Sequence, residues 1–345
     1  MSALCIGQYP LANNLFVAPM AGVTDRPFRQ LCKALGAGYA VSEMVTSRKD
    51  LWNSLKTSRR ANHEGEPGPI AVQIAGTDAP MMAEAAIYNI ERGAQIIDIN
   101  MGCPAKKVCN KWAGSALMQN EPLAVEIAQA VVEAARPFNV PVTLKMRTGW
   151  CEAEKNAVQL ATQFEDVGIQ MLTVHGRTRE QGYKGFAEYD TIAAVKQAVQ
   201  VPVVANGEIW TVQDALRCRE QSGCGDLMLG RGSVADPGLA LALRAALESG
   251  VQHSDDVPAE MPPAVPWAQM LPHLQRFWLL VCRDLTPNQR AGRLKQWLNL
   301  MRRRYPEAET AFQSVRVLTK QSLVADWLEQ ECERFGADFV LQKIE

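Results

Sequence analysis

The chain has 345 residues, 47% of them hydrophobic and 21% charged, with a net charge of −1; this excludes a disordered or fibrous chain and allows a sizeable core. A near-neutral balance gives no global sign of a nucleic-acid binder, and neither a basic-then-apolar leader nor a run of about 18 apolar residues is found, so no membrane span and no secretion are expected. Nine cysteines, none in a C-x-x-C pair, argue against a zinc or other metal site and for a reducing cytoplasm.

From the N-terminus onward, short apolar runs alternate with amphipathic segments rich in Ala and Leu, the pattern of a parallel sheet covered by helices. Eight runs are expected as strands: Leu15 to Ala18, Tyr39 to Val41, Ile70 to Ile74, Ile96 to Ile99, Val142 to Leu144, Met171 to Val174, Val203 to Ala205 and Leu227 to Leu229. Glycines and prolines punctuate the approach to several of them, as at Gly36, Gly93, Pro141, Gly168 and Pro202. Eight strand-and-helix units predict an α/β fold, a TIM (β/α)8 barrel, over residues 1–250. Residues 251–265, with Pro258, Pro262 and Pro263 and no periodicity, are expected as a linker. Residues 266–345 are expected to form a small all-α domain, in which Leu294, Trp297, Leu298 and Met301 share an apolar arc at helical spacing.

Nearly every strand ends in residues that a packed core would not choose: Pro19-Met20, Glu43, Gln73, Asn100 to Cys103, Lys145 with Arg147, His175 with Arg177, Asn206 with Glu208, and Gly230-Arg231. In a barrel these converge on one face and line a polar pocket of ligand size. Cys103 follows a buried run and is flanked by Gly102 and Pro104, which places its thiol on a loop at that face, where it is read as a proton donor toward a flavin. Nearby Lys106 and Lys107 favour thiolate instead. Gly230-Arg231-Gly232-Ser233 before a helical stretch, with Asn206-Gly207-Glu208 one strand earlier, suits a phosphate site after strands seven and eight. Lys145 needs an anionic partner such as a reduced flavin, Gln73 can donate and accept at a uracil-like edge, and His175 is a flavin or substrate contact or else a structural residue. Glu43 is expected to pair with a neighbouring cation.

Charge is segregated near the C-terminus. Between Asn288 and Lys320 the basic residues Arg290, Arg293, Lys295, Arg302, Arg303, Arg304, Arg316 and Lys320 face only Glu307 and Glu309. Phosphate contact is the expected use of this excess, above all of the triplet Arg302 to Arg304, while Trp297 is expected in the core.

The motifs APMAGVTDRPFR (Ala18 to Arg29), INMGCPAKK (Ile99 to Lys107), KMRTGW (Lys145 to Trp150), HGRT (His175 to Thr178), ANGEI (Ala205 to Ile209) and LGRG (Leu229 to Gly232) resemble the bacterial tRNA-dihydrouridine synthases. The resemblance implies an FMN-bound barrel and a helical tRNA-binding domain. NADPH reduces the flavin, a hydride passes to C6 of a tRNA uridine, and the cysteine matching Cys103 protonates C5. FMN contacts would be Pro19, Met20, Ala21, Gln73, Lys145, His175, Asn206, Gly207, Glu208, Gly230 and Arg231. Asn100 and Tyr183 would meet the substrate, and Arg293, Lys295 and Arg316 would orient the tRNA. The N-terminal half resembles the B branch of the family; RLKQWL (Arg293 to Leu298) and FQSVRVL (Phe312 to Leu318) resemble the C branch, which favours uridine 16 of the D-loop over position 17. A cytoplasmic monomer is expected. The competing readings are a flavin barrel acting on a small molecule, which leaves the basic helical region without a use, and an RNA-binding protein on a barrel that has lost catalysis.

Overall fold

The computed structural model describes residues 4–258 and 261–339. Eight strand positions, all parallel, run β1 (Leu15–Val17), β2 (in two segments, Tyr39–Ala40 and Val45–Thr46), β3 (Ala71–Ala75), β4 (Ile96–Met101), β5 (Val142–Arg147), β6 (Leu172–His175), β7 (Val203–Asn206) and β8 (Asp226–Leu229). The first segment of β2 pairs with β1 and the second with β3, and a bridge between Val41 and Ala71 joins the two ends of the ladder into a ring. The break in β2 has a local cause. Ser42 Oγ takes the N–H of Gln73 at 3.0 Å, and Glu43 turns away to accept the N–H of Gly22 at 2.5 Å and to face Arg60 at 3.6 Å.

Two strands run two or more residues further than their apolar runs suggest. Asn100 and Met101 belong to β4, and Lys145 to Arg147 belong to β5, because the ladder continues through Asn100–Lys145 and Met101–Met146. Strand alternation explains how charged residues fit inside. Val142, Leu144 and Met146 point out to the helices, whereas Thr143, Lys145 and Arg147 occupy the alternate positions on the inner side. The barrel interior is itself layered. Its lower part is apolar (Phe16, Tyr39, Ala71, Ile96, Met171, Val204, Met228) and is closed by Ile6 and Leu11 around an N-terminal hairpin. Polar side chains fill the upper part.

Each strand is followed by a helix: α1 (Arg26–Ala34), α2 (Leu55–Arg60), α3 (Ala79–Ile90), α4 (Glu121–Ala135), α5 (Ala157–Asp166), α6 (Asp190–Ala198), α7 (Val212–Ser222) and α8 (Leu239–Glu248). Their starts are written in the sequence: Asp25 and Asp78 cap α1 and α3, and Thr211 with Asp214 forms a capping box on α7. Among the described residues no helix is long and apolar enough to cross a membrane.

Beyond the barrel lie α9 (Trp267–Asp284), α10 (Pro287–Met301), α11 (Pro306–Val315) and α12 (Gln321–Phe335). The expected apolar arc of α10 is buried, and Trp297 is core: it stacks on Phe277 at 3.5 Å and meets Phe28 of α1 edge-on at 5.1 Å. Such aromatic pairs are worth about 0.5–1.5 kcal/mol each beyond the area they bury. Ion pairs add to this contact with the barrel, among them Arg26–Asp284 at 2.5 Å and Arg293–Asp25 at 2.8 Å. The proline-rich stretch before α9 packs as well, with Val257 and Val265 buried; residues 259–260 lie outside the described residues.

Candidate active site

At the C-terminal end of the strands is a cavity of about 380 Å³, within the usual range for a bound cofactor or substrate. Pro19, Met20, Ala21, Gln73, Lys145, His175, Asn206, Gly207, Glu208, Gly230 and Arg231 all line it, together with Asn100, Cys103 and Tyr183. Arg293, Lys295 and Arg316 do not line it.

Two polar assemblies organise the floor. In the first, Asn206 Nδ2 donates to the carbonyl of Met228 at 2.7 Å, which turns Oδ1 toward Lys145 Nζ and His175 Nδ1, each 2.8 Å away. Burial pulls the Lys145 ammonium down to about 7, with Arg147 acting in the same direction and Asp98 against it. Burial also holds the His175 imidazole well below its usual value, reinforced by Arg147 and Lys145. His175 is therefore neutral with its proton on Nδ1, and Nε2 is a buried acceptor without a partner among the described residues.

The second assembly starts at Asp98, which carried no expectation. Burial pushes its carboxyl up, with Thr143, Gln73 and Lys145 opposing, and its two oxygens accept from Thr143 Oγ1 at 2.6 Å and Gln73 Nε2 at 2.7 Å. That fixes the Gln73 amide so that Oε1 takes Asn100 Nδ2 at 2.7 Å, and Asn100 Oδ1 is left to take the N–H of Cys103 at 3.1 Å. One buried acceptor thereby sets the direction of every hydrogen bond up to the thiol-bearing residue. A lone acid inside the run IIDIN is the signal that could have marked it.

The cysteine loop is held from two further sides. Ser115 donates both its N–H (3.1 Å) and its hydroxyl (2.9 Å) to the carbonyl of Cys103, and Gly114 permits this with φ +64°, since a Cβ there would stand 2.8 Å from that oxygen. Arg147 donates to the carbonyls of Gly102 (2.7 Å), Thr178 and Gly182 (2.9 Å each), tying the loop after β4 to the loop after β6. Burial raises the Cys103 thiol; the N–H of Ala105, Arg147 and Lys107 act in the opposite sense and are outweighed. The competition between cations and desolvation left open in the sequence is decided for the protonated thiol.

Around the mouth, cations and rings alternate. Tyr183, 59% exposed, has Arg231 5.1 Å and Arg147 5.5 Å from its ring, and Trp210 lies between Arg231 at 5.1 Å and Arg303 at 4.2 Å. The arginine triplet is thus divided. Arg302 pairs with Glu309 and Arg304 lies against buried Asp236, whereas Arg303 has no carboxylate partner among the described residues and faces the pocket through Trp210. Glu208, at φ +52°, holds Arg177 and accepts from Trp210 Nε1 at 3.0 Å.

Arg293, expected to orient the tRNA, is engaged with the barrel. Its guanidinium grips Asp25 and the carbonyls of Gly22 and Val23, so it fastens α10 to the loop after β1 instead of standing free. Lys295 is half-buried and Arg316 exposed, neither with a side-chain partner among the described residues.

Among curated proteins, the chain is 58% identical over 250 residues to a tRNA-dihydrouridine synthase B of Pseudomonas putida, covering 72% of this chain and 73% of that one. It is 54% identical over 285 residues to the protein of that name from Pseudomonas aeruginosa (83% of each) and 53% identical over 255 residues to that of Vibrio parahaemolyticus (74% and 78%). These relatives carry the B designation, which overturns the lean toward the C branch drawn from the C-terminal motifs. The fold is also that of 2-naphthoyl-CoA reductase (TM-score 0.53, 12% identity, 74% of this chain and 52% of that one) and of morphinone reductase (TM-score 0.50, 14% identity, 72% and 90%). Residues 16–313 match the model of the family described as dihydrouridine synthase (Dus), and the chain belongs to that family.

Proposed function

We propose that this dihydrouridine synthase reduces a D-loop uridine of tRNA, with FMN held in the barrel mouth, NADPH as the reductant and Cys103 as the proton donor. What carries the reading is a thiol kept protonated on the rim of a cavity whose unsatisfied groups suit a flavin. His175 Nε2 is an unpaired buried acceptor, Arg231 has no carboxylate within ion-pair distance among the described residues, and nothing stands within 4 Å of where a Cβ on Gly230 would project. Lys145, His175, Gln73 and Asn206 would hold the ring system, Arg231 with Gly207 and Gly230 the phosphate, and Pro19, Met20, Ala21 and Glu208 the remaining wall. When bound, the flavin supplies the hydride for C6 of the uracil.

The protein's own groups do the rest. Cys103 presents its Sγ proton for C5, and Asn100 and Arg147 set where that sulfur stands. Tyr183, exposed beside two guanidiniums, is placed to meet the extruded nucleotide. Swinging a uridine out of folded tRNA costs a few kcal/mol, supplied by phosphate contacts that grip without reading sequence. Lys295, Arg303 and Arg316 provide such contacts, with residues 266–345 serving as the tRNA-binding domain, 251–265 as its linker and 1–250 as the catalytic domain. The enzyme works as a cytoplasmic monomer.

The deciding experiment is anaerobic reduction by NADPH followed by addition of unmodified tRNA or free uridine. Rapid return of oxidised-flavin absorbance with tRNA alone is expected, and mapping dihydrouridine in the product separates positions 16 and 17. Equal reoxidation by free uridine would instead favour the small-molecule reading.

A further inference from the structure

Immediately after the cavity-lining residue Ala105, the chain forms a short projection: a one-turn helix, Lys106–Cys109, followed by Asn110, Lys111 and Trp112. Lys106, Lys107 and Lys111 are exposed, and none has an ion-pair or hydrogen-bond partner among the described residues. Trp112 is 62% exposed and sits at φ +58°, a left-handed backbone that costs a bulky side chain and that Gly or Asn would take with less strain. A large ring held outward at an unfavourable backbone angle, among three uncompensated cations, is at odds with solubility and with packing alike.

We infer that the Lys106–Trp112 projection is an RNA-contact surface, on which the lysines meet backbone phosphates of the tRNA and the Trp112 indole stacks on an unpaired base. The inference rests on the tRNA reading and extends it to residues outside the cavity and outside the helical region. Charge complementarity selects the occupant: seven consecutive residues carry three cations and no acid, and a flat exposed indole beside them suits a base, the combination that single-stranded nucleic-acid sites use. Position does so as well. The segment adjoins the mouth from which a base would enter, and Ser115, three residues past its far end, holds the carbonyl of Cys103. RNA seated on this surface thus bears on the element that carries the thiol.

The test uses the full-length flavin-loaded protein and an unmodified tRNA transcript, with affinity measured across a series of KCl concentrations. Trp112→Asn removes the ring while suiting the left-handed backbone, and should weaken binding about tenfold with flavin content unchanged; Trp112→Phe should restore most of the affinity. Lys106→Gln with Lys111→Gln should lower the slope of log affinity against log salt by about 1.5. Unchanged affinity and slope in these variants, with wild type binding tRNA normally, would overturn the inference and leave the proposed function standing. Failure of the wild-type protein to bind tRNA would overturn the proposed function itself.

Discussion

The Arg147 guanidinium donates to the carbonyl of Gly102 at 2.7 Å, from inside the barrel to the residue that precedes Cys103. Its other bonds reach Thr178 and Gly182, so one side chain on β5 holds the thiol loop and the Tyr183 loop in register. Arg147→Lys keeps the charge but cannot span three carbonyls. Turnover with tRNA should fall about a hundredfold, the usual consequence of a misplacement near 1 Å, while NADPH still reduces the flavin; unchanged single-turnover reoxidation would rule this role out.

Cys103→Ala should retain flavin and its reduction by NADPH but lose dihydrouridine formation, typically by about 10²–10⁴-fold for removal of a general acid. The pH dependence has a definite sign. Because burial raises the thiol above its usual range, the acid form persists through neutral pH, and flavin reoxidation by tRNA should decline only above the ordinary thiol range. A decline beginning near neutrality would mean that cations, not desolvation, control this sulfur.

Lys145 is held at about 7 when folded, against about 10.4 when unfolded. Between those values the unfolded chain binds more protons, so the burial cost falls as pH rises. In flavin-free protein, Lys145→Met should therefore be most stabilising, relative to wild type, below pH of about 7, and the advantage should shrink toward pH of about 10. Urea unfolding at several pH values measures it. Binding of the reduced, anionic flavin should draw a proton onto Lys145, seen as buffer-dependent binding heat at alkaline pH.

Two kinds of basic residue on the helical region should separate experimentally. Arg293→Ala strips the partner from Asp25, 21% exposed, and should cost about 1–3 kcal/mol of stability. Lys295→Ala and Arg316→Ala should leave stability within about 0.5 kcal/mol yet each reduce the salt slope of tRNA binding by about 1. A stability loss from Lys295 or Arg316, with the slope intact, would reverse the assignment.

Asp98→Asn tests the chain of oriented amides. Asparagine can accept from only one of Thr143 and Gln73 at its single carbonyl, so the direction of the Gln73–Asn100–Cys103 series is no longer imposed. Slower turnover with tRNA is expected, with little change in flavin content; normal turnover would make Asp98 a core residue only.

The barrel was legible in the chain, because each strand is a short apolar run bounded by glycine, proline or a capping residue, and these signals are local. The cavity-lining residues were marked as well, since a polar side chain directly after such a run has one place to go in a closed parallel barrel. The apolar arc of Leu294, Trp297, Leu298 and Met301 was legible for the same reason: its periodicity is a property of consecutive residues. Relationships between distant segments were not legible there and came only with the fold. Arg293 and Arg303 look alike in a basic run, yet one meets Asp25 from the first barrel loop and the other Trp210 from the seventh. The protonation of Cys103, His175 and Lys145 likewise depends on burial and on charges brought in from other strands, and desolvation has no signature in a linear sequence.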